Sequence, residues 1–135
     1  MPKQEVIGMN PEVKARWLAA LRSGEYAQAR ERLRDRTGAM CCLGVLCDLY
    51  AKDYPEVAWE RVALGEKTRW WTFGGAELEP PADVARWAGL RNEYDQVVYN
   101  PMAGDLSVAE ANDNGQTFAE IADLIESHIP AAAVT

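Results

Sequence analysis

The sequence predicts one small α+β domain, mostly helical, with a short antiparallel sheet made of a hairpin and a further strand. Several segments repeat apolar residues at the spacing of a helix face. One stretch is instead rich in β-branched and aromatic residues. The 135 residues are 48% hydrophobic, enough for a single core. We therefore expect one domain over residues 1–135, ordered from about residue 10 to 129 and ending in short flexible tails.

The helices of the first half are marked by the residues at their ends. Asn10 precedes a proline and predicts the N-cap of a helix that ends before Gly24. "EYAQARERLRDR" has high helix propensity, so we expect a helix over 25–36, with an extended segment as the alternative. Gly38 then breaks the chain before "AMCCLGVLCDLY", which favours a buried helix. Gly44 in its middle predicts that another segment approaches closely there.

The second half combines strands with three further helices. "VAWERVAL" and "TRWWTF", separated by "GEK", predict the hairpin, and "DQVVYN" predicts the further strand. "PPADVARWAGL" is a short helix that begins with proline. Ser107 predicts the cap of another, with Glu110 at the capping-box position. Thr117 and Glu120 predict a capping box on the last helix, "TFAEIADLIESHI".

Charge is spread unevenly along the chain. The net charge is −7, yet residues 1–36 hold eight Lys or Arg against five Asp or Glu. The acidic total argues against generic nucleic-acid binding, because neutralised phosphates supply most such affinity. The basic residues concentrate in one stretch, which we call the arginine strip: Arg30, Arg32, Arg34 and Arg36.

The sequence predicts a cytoplasmic protein without a membrane partner. No apolar run approaches the roughly 20 residues of a membrane helix. The N-terminus, "MPKQEVIGMN", lacks the apolar stretch of a secretory signal. Three cysteines, two of them adjacent, do not form a disulfide framework, so we expect reduced thiols.

Three sequence blocks, "CCLGV", "WAGL" and "NDNGQTF", occur in this order with a tryptophan-bearing helix before them. In this pattern the chain, from about Pro11 to His128, resembles a family of small phage and prophage proteins of unknown function. The resemblance implies a phage accessory protein in a bacterial host, and it brings no established catalytic residues. Relatives often have glycines where this chain has Ala29 to Glu31, which implies more helix here than in them.

Three chemistries compete for the cysteine segment. Structural zinc commonly uses four ligands in C-x₂-C pairs, a spacing that is absent here. A catalytic thiol is the second hypothesis, because Cys41 and Cys42 would lie in the first turn of a helix, where the dipole lowers a thiol pKa. Asn112, Asp113 and His128 could complete a Cys-His-Asn arrangement. We favour the third, buried structural thiols, because Cys42 falls on the apolar face.

The "NDNGQT" loop has a partial likeness to a calcium-binding loop. Its twelfth position would be Ile121, where a bidentate glutamate is required. We therefore expect no metal and no cofactor. Asn112 and Asp113 stay weak candidates for catalysis or ligand contact, and the favoured interpretation is that they satisfy backbone groups and cap neighbouring helices.

Trp70 and Trp71 form the second unusual feature of the sequence. Neighbours in a strand point to opposite faces, so one indole should lie outside the core. Exposed Trp and Arg dominate binding hot spots, and guanidinium groups suit phosphates and carboxylates. We therefore predict a binding surface that joins the arginine strip to Trp70 or Trp71 and takes a host protein or a small anionic, nucleotide-like ligand.

Three functions stay open at this point. The favoured one is a non-enzymatic phage-type protein that intercepts a host protein or signalling ligand, and so opposes host defence. The second is a small enzyme that depends on a cysteine or on the Asn/Asp pair. The third is a structural or regulatory protein that interacts with other phage proteins.

Overall fold

The computed structural model describes residues 9–90, 97–100, 104–129 and 131. Its helices are α1 (Pro11–Arg22), α2 (Cys42–Asp53), α3 (Ala82–Ala88), α4 (Val108–Asp113) and α5 (Phe118–His128). Its strands are β1 (Arg34–Asp35), β2 (Trp59–Leu64), β3 (Lys67–Phe73), β4 (Val97–Asn100) and β5 (Gly104–Ser107). The predicted α+β fold is confirmed, and the expected tails lie almost entirely outside the described residues.

The hairpin forms as predicted and belongs to a three-stranded antiparallel sheet in the order β1-β3-β2. Its third strand is β1, which comes from the arginine strip and pairs Arg34 with Trp71. The strand predicted in "DQVVYN" is present as β4. It pairs with β5 in a separate ribbon instead of joining the hairpin.

The expected helix over 25–36 is wrong, because this segment is irregular until it enters β1. Its backbone bonds to other parts of the chain: the Ala29 N–H donates to the carbonyl of Met40 (2.8 Å), and the Leu33 N–H donates to that of Glu77 (2.8 Å). Glu31 has a φ of 70°, a left-handed conformation that glycine adopts more easily. The expectation of helix from Ala29 to Glu31 is therefore also wrong.

The cysteine segment forms the central buried helix, as predicted. Every residue of α2 from Cys42 to Cys47 is buried. The indole N–H of Trp17 on α1 donates to the carbonyl of Cys42 (2.9 Å). At Gly44 the carbonyl of Leu33 occupies the place of a Cβ, which confirms the predicted close approach.

The predicted helix caps are confirmed. The Asn10 side chain accepts the N–H groups of Glu12 (2.9 Å) and Val13 (3.3 Å) at the start of α1. Thr117 and Glu120 exchange hydrogen bonds of 3.0 and 3.2 Å in a capping box on α5. The Ser107 side chain caps α4 by accepting the N–H of Glu110, but the return bond from Glu110 that would complete a capping box is not observed among the described residues.

Candidate functional site

The two tryptophans of β3 lie on opposite faces of the sheet, and an arginine of the strip stacks on each. The guanidinium of Arg32 lies 4.1 Å from the ring centre of Trp70, and that of Arg34 lies 4.5 Å from Trp71. Both indoles are half-buried. The two tryptophans thus lie on different faces, as expected, with Arg32 on the Trp70 face and Arg34 on the Trp71 face.

The Trp71 face is built into the domain. Arg34 lies between Trp71 and Trp59, whose ring centre is 5.4 Å away. Trp59 packs against Phe73 and donates its indole N–H to Asp48 (3.2 Å). The Nε of Arg34 and the indole nitrogen of Trp71 are buried and have no hydrogen-bond partner in the described residues. Arg34 is therefore held mainly by aromatic contacts and packs as part of the fold.

The Trp70 face carries a groove of about 430 Å³ that we call the basic groove. It is lined by Arg32, Arg36, Leu64, Lys67, Thr68, Arg69 and Trp70. Arg32 makes a 3.5 Å ion pair with Glu77, a partly exposed contact that contributes little free energy. Among the described residues no carboxylate lies within 4.0 Å of the charged groups of the other three cations. The groove is thus a concentrated positive surface on a chain of net charge −7.

A β-bulge brings Arg69 into the basic groove. Val62 of β2 pairs with Trp70, and Ala63 pairs with Thr68, so Arg69 has no residue opposite it. A bulge bends the strand and re-aims the side chains around it. The guanidinium of Arg69 lies 5.6 Å from the ring centre of Trp70, which gives this indole a second cation.

The arginine strip does not act as one surface. Arg32 and Arg36 line the basic groove, while Arg34 lies on the opposite face. Arg30 lies against the loop between α4 and α5, where its guanidinium would be 3.1 Å from a Cβ at Gly115. Of the four arginines that were predicted to share a surface with a tryptophan, Arg32 and Arg36 lie in the groove with Trp70.

Sequence reasoning missed Leu64, Lys67 and Arg69 as groove residues. Lys67 and Arg69 are cations that come just before the tryptophan pair in "EKTRWW". The local sequence therefore did contain a signal for a basic and aromatic surface. The signal for the exposed Leu64 is weaker, because a leucine at the end of a strand usually contributes to a core.

Asn112 fastens the arginine-strip segment and α2 to the C-terminal half. Its Nδ2 donates to the carbonyl of Ala29 (2.7 Å). Its Oδ1 accepts the backbone N–H of Cys42 (3.2 Å) and the side-chain amide of Gln28 (3.0 Å). Cys41, the N-cap residue of α2, makes no capping bond with its own side chain, so the amide of Asn112 caps that helix from elsewhere in the chain.

Asp113 has a comparable architectural role. Its carboxylate accepts the backbone N–H of Glu31 (2.7 Å), the residue with the left-handed backbone. The "NDNG" block, the "CCLGV" block and the strip therefore meet at one set of hydrogen bonds. The geometry matches the interpretation that the Asn/Asp pair satisfies backbone groups and caps a neighbouring helix.

The thiols lie in surroundings that suppress thiolate formation. Burial raises the pKa of Cys41 to about 11, and burial also raises the pKa values of Cys42 and Cys47 well above the usual range. The Cys42 thiol lies 3.5 Å from the carbonyl of Val108. Because the thiolate is the nucleophile, these surroundings oppose catalysis by cysteine.

Neither a metal cluster nor a membrane-spanning helix is present in the described part of the chain. It contains no cluster of three or more His, Cys, Asp or Glu side chains suited to a metal ion. Its helices also include none that is long and apolar enough to cross a membrane.

The chain belongs to a family defined by a domain of unknown function, DUF8296, which it matches over residues 9–129. The matched region contains the basic groove, the buried cysteines and the Asn112 hydrogen bonds. No curated protein and no solved structure has significant similarity to the chain.

Proposed function

We propose that this protein is a non-enzymatic accessory protein of the phage type, which captures an anionic partner from the bacterial host in its basic groove. The observation that carries the proposal is the gathering of four cations around the half-buried Trp70. The partner is a host protein or a small anionic signalling ligand, and its capture opposes host defence in the bacterial cytoplasm.

Electrostatics favours an anionic partner that makes a local contact. A positive groove on a protein of net charge −7 attracts an anion at the groove and repels it elsewhere. Such complementarity raises the association rate and fixes the orientation of the partner. A long polyanion would also meet the acidic remainder of the surface, which argues against generic nucleic-acid binding.

Arg32 is prepared for recognition before a partner arrives. Stacking on Trp70 orders its long side chain, so less conformational entropy is lost when a partner binds. The Cζ of Arg32 lies over the indole, and the N–H groups of the guanidinium suit bidentate bonds to a carboxylate or phosphate.

The enzyme hypothesis has less support. A cysteine nucleophile requires a thiolate, and burial raises the pKa of Cys41 and Cys42. Asn112 is fully buried and already makes three hydrogen bonds within the protein. Neither feature suits a group that must reach a substrate.

The test is affinity capture from host lysate, with mass spectrometry of the bound proteins and small molecules. We expect the wild type to retain a partner that the double variant Arg36→Glu, Arg69→Glu loses, because both exposed cations line the groove. The matched control is Arg30→Glu, Lys52→Glu, which makes the same charge change at two exposed cations that do not line the groove. Unfolding midpoints from circular dichroism check that each variant is folded.

Equal capture by the two double variants would remove the basic groove as the binding site. Capture of phage proteins alone, from lysate of infected cells, would favour the structural or regulatory hypothesis over interception of a host partner.

A further inference from the structure

Leu64 is an exposed apolar side chain within a cationic groove. It is 69% exposed and lines the basic groove with Trp70. It ends β2, and its partner in the hairpin register is Lys67. A ligand that fits this surface should carry negative charge for the cations and apolar surface for the leucine.

The shape and contents of the basic groove disfavour a small nucleotide-like ligand. Small-molecule sites are usually enclosed and mostly apolar, with a few convergent polar groups. Here Leu64, Lys67 and Arg69 are all exposed, so a small ligand would keep much of its surface in water. The Trp70 ring is already covered by Arg32 and approached by Arg69, so a nucleobase would have to displace a guanidinium to stack on it.

The acidic residues around the basic groove disfavour a nucleic-acid strand. Glu66 lies in the turn beside Lys67, and Glu77 lies 3.5 Å from Arg32. A phosphate chain that passed through the groove would approach these carboxylates, and it offers no apolar side chain for Leu64. A short segment that carries only a few charges meets less of this repulsion than a phosphate chain does.

From these observations we infer that the basic groove binds an acidic peptide segment of a partner protein, in which a bulky apolar side chain lies beside the carboxylates. The inference rests on the proposed function and narrows the anionic partner to one chemical class. Carboxylates bind Arg32, Arg36, Lys67 and Arg69, and the apolar side chain packs on Leu64. Charge supplies the orientation, and the apolar contact supplies selectivity among acidic segments.

The experiment is selection from a random peptide library displayed on messenger RNA, with the full-length protein as bait. We expect enriched peptides to combine several Asp or Glu with one Leu, Ile, Phe or Met. The best peptide is then synthesised with a fluorescein label, and its Kd is measured by fluorescence anisotropy. We expect Arg36→Glu, Arg69→Glu to weaken this binding by about a hundredfold, because two favourable charge contacts become repulsive.

Two single variants test the parts of the inference separately. Leu64→Ser should weaken peptide binding by about tenfold, since it removes an apolar contact from an exposed site that the fold does not require. Lys52→Glu should leave the Kd within about twofold, because Lys52 is an exposed cation of α2 that does not line the groove. An unchanged Kd in Leu64→Ser would overturn the apolar part of the inference.

Inorganic triphosphate, ATP and a short single-stranded DNA are measured as competitors in the same assay. If any of them displaces the peptide at a lower concentration than unlabelled peptide does, the groove is a phosphate site and the inference is overturned. The inference would also be overturned if the wild type enriched acidic peptides no more than the Arg36→Glu, Arg69→Glu variant does. Neither result affects host-partner capture, so failure of the inference is distinguishable from failure of the proposed function.

Discussion

Replacing Asn112 with alanine is expected to destabilise the protein strongly, although the residue makes no contact with the basic groove. The side chain is fully buried and makes three hydrogen bonds. Alanine would leave the carbonyl of Ala29 and the N–H of Cys42 without these partners. The side-chain amide of Gln28 would keep its bond to the carbonyl of Gln116 (2.7 Å), so losing Asn112 costs this amide less free energy than it costs the two backbone groups.

The magnitude follows from the two backbone groups. A buried polar group that loses its partner costs about 1–3 kcal/mol, so two such groups cost about 4 kcal/mol at the middle of that range. The free energy of unfolding of a domain this size is about 5–15 kcal/mol. Asn112→Ala should therefore remove a large part of the free energy of unfolding, and a measurable fraction of the variant should be unfolded at about 37 °C.

Urea unfolding followed by tryptophan fluorescence and far-ultraviolet circular dichroism measures this loss. The control is Asn114→Ala, an exposed asparagine at the C-cap of the same helix, α4, which should change stability by less than about 0.5 kcal/mol. If Asn112→Ala stayed within about 0.5 kcal/mol of the wild type, the reasoning would be refuted.

In the variant Asn112→Asp, the loss of stability should depend on pH. The new carboxyl would face the carbonyl of Ala29 at the position of the present donor, and burial raises the pKa of a carboxyl group. A raised pKa in the folded state means that the protonated form supports the fold. Relative to the wild type, the variant should therefore lose stability as the pH rises from about 4 towards neutrality.

Four further outcomes test the architecture. Gly44→Ala should cost about 3 kcal/mol in urea unfolding, because the new Cβ meets the carbonyl of Leu33; a neutral substitution would contradict that contact. Thr117→Ala should cost about 1 kcal/mol and speed amide exchange in the first turn of α5, and unchanged exchange would count against the capping box. Iodoacetamide should label Cys41 slowly in the native protein at neutral pH and quickly in urea, and rapid native labelling would revive a reactive thiol. Since burial raises the Cys41 pKa to about 11, its contribution to stability is present below pH 9 and declines as the pH rises from about 9 to 11.

The features that sequence reasoning predicted well are those whose causes lie within a few residues. Asn10 caps α1 through N–H groups two and three residues away, and Thr117 and Glu120 bond each other across one turn. The hairpin likewise depends on a two-residue turn between strands of high β propensity. Such interactions are encoded in short spacings, so the sequence displays them directly.

The failed helix over 25–36 shows where local reasoning ends. The segment has a helical composition, but its backbone groups bond to Met40, Glu77 and Asp113, which are close only in the folded chain. These long-range bonds outweigh a propensity of a few tenths of a kcal/mol per residue. The amide of Asn112 is a similar case, because its partner Cys42 lies 70 residues away.

The candidate site was predicted in kind but not in composition. The association of arginine with tryptophan is observed, whereas the strand register decides which arginine meets which ring. Because Arg34 pairs with Trp71, that arginine is drawn into the fold while Arg32 reaches the basic groove. The bulge that adds Arg69 depends on strand pairing as well, which no local pattern specified.

The hydrogen bonds of Asn112 can form only late in synthesis, because its partners Ala29 and Cys42 are made long before it. All the side chains of the basic groove leave the ribosome before Asn112, yet the segment that carries Arg32 is tied to it through Ala29, 83 residues earlier. Closing so long a loop is a slow step, and it waits for α4 to be made. A nascent chain therefore carries all the groove residues before the bond between Ala29 and Asn112 can form. An isolated peptide of β2 and β3 lacks Arg32 and Arg36, so it cannot replace the whole protein as a binding reagent.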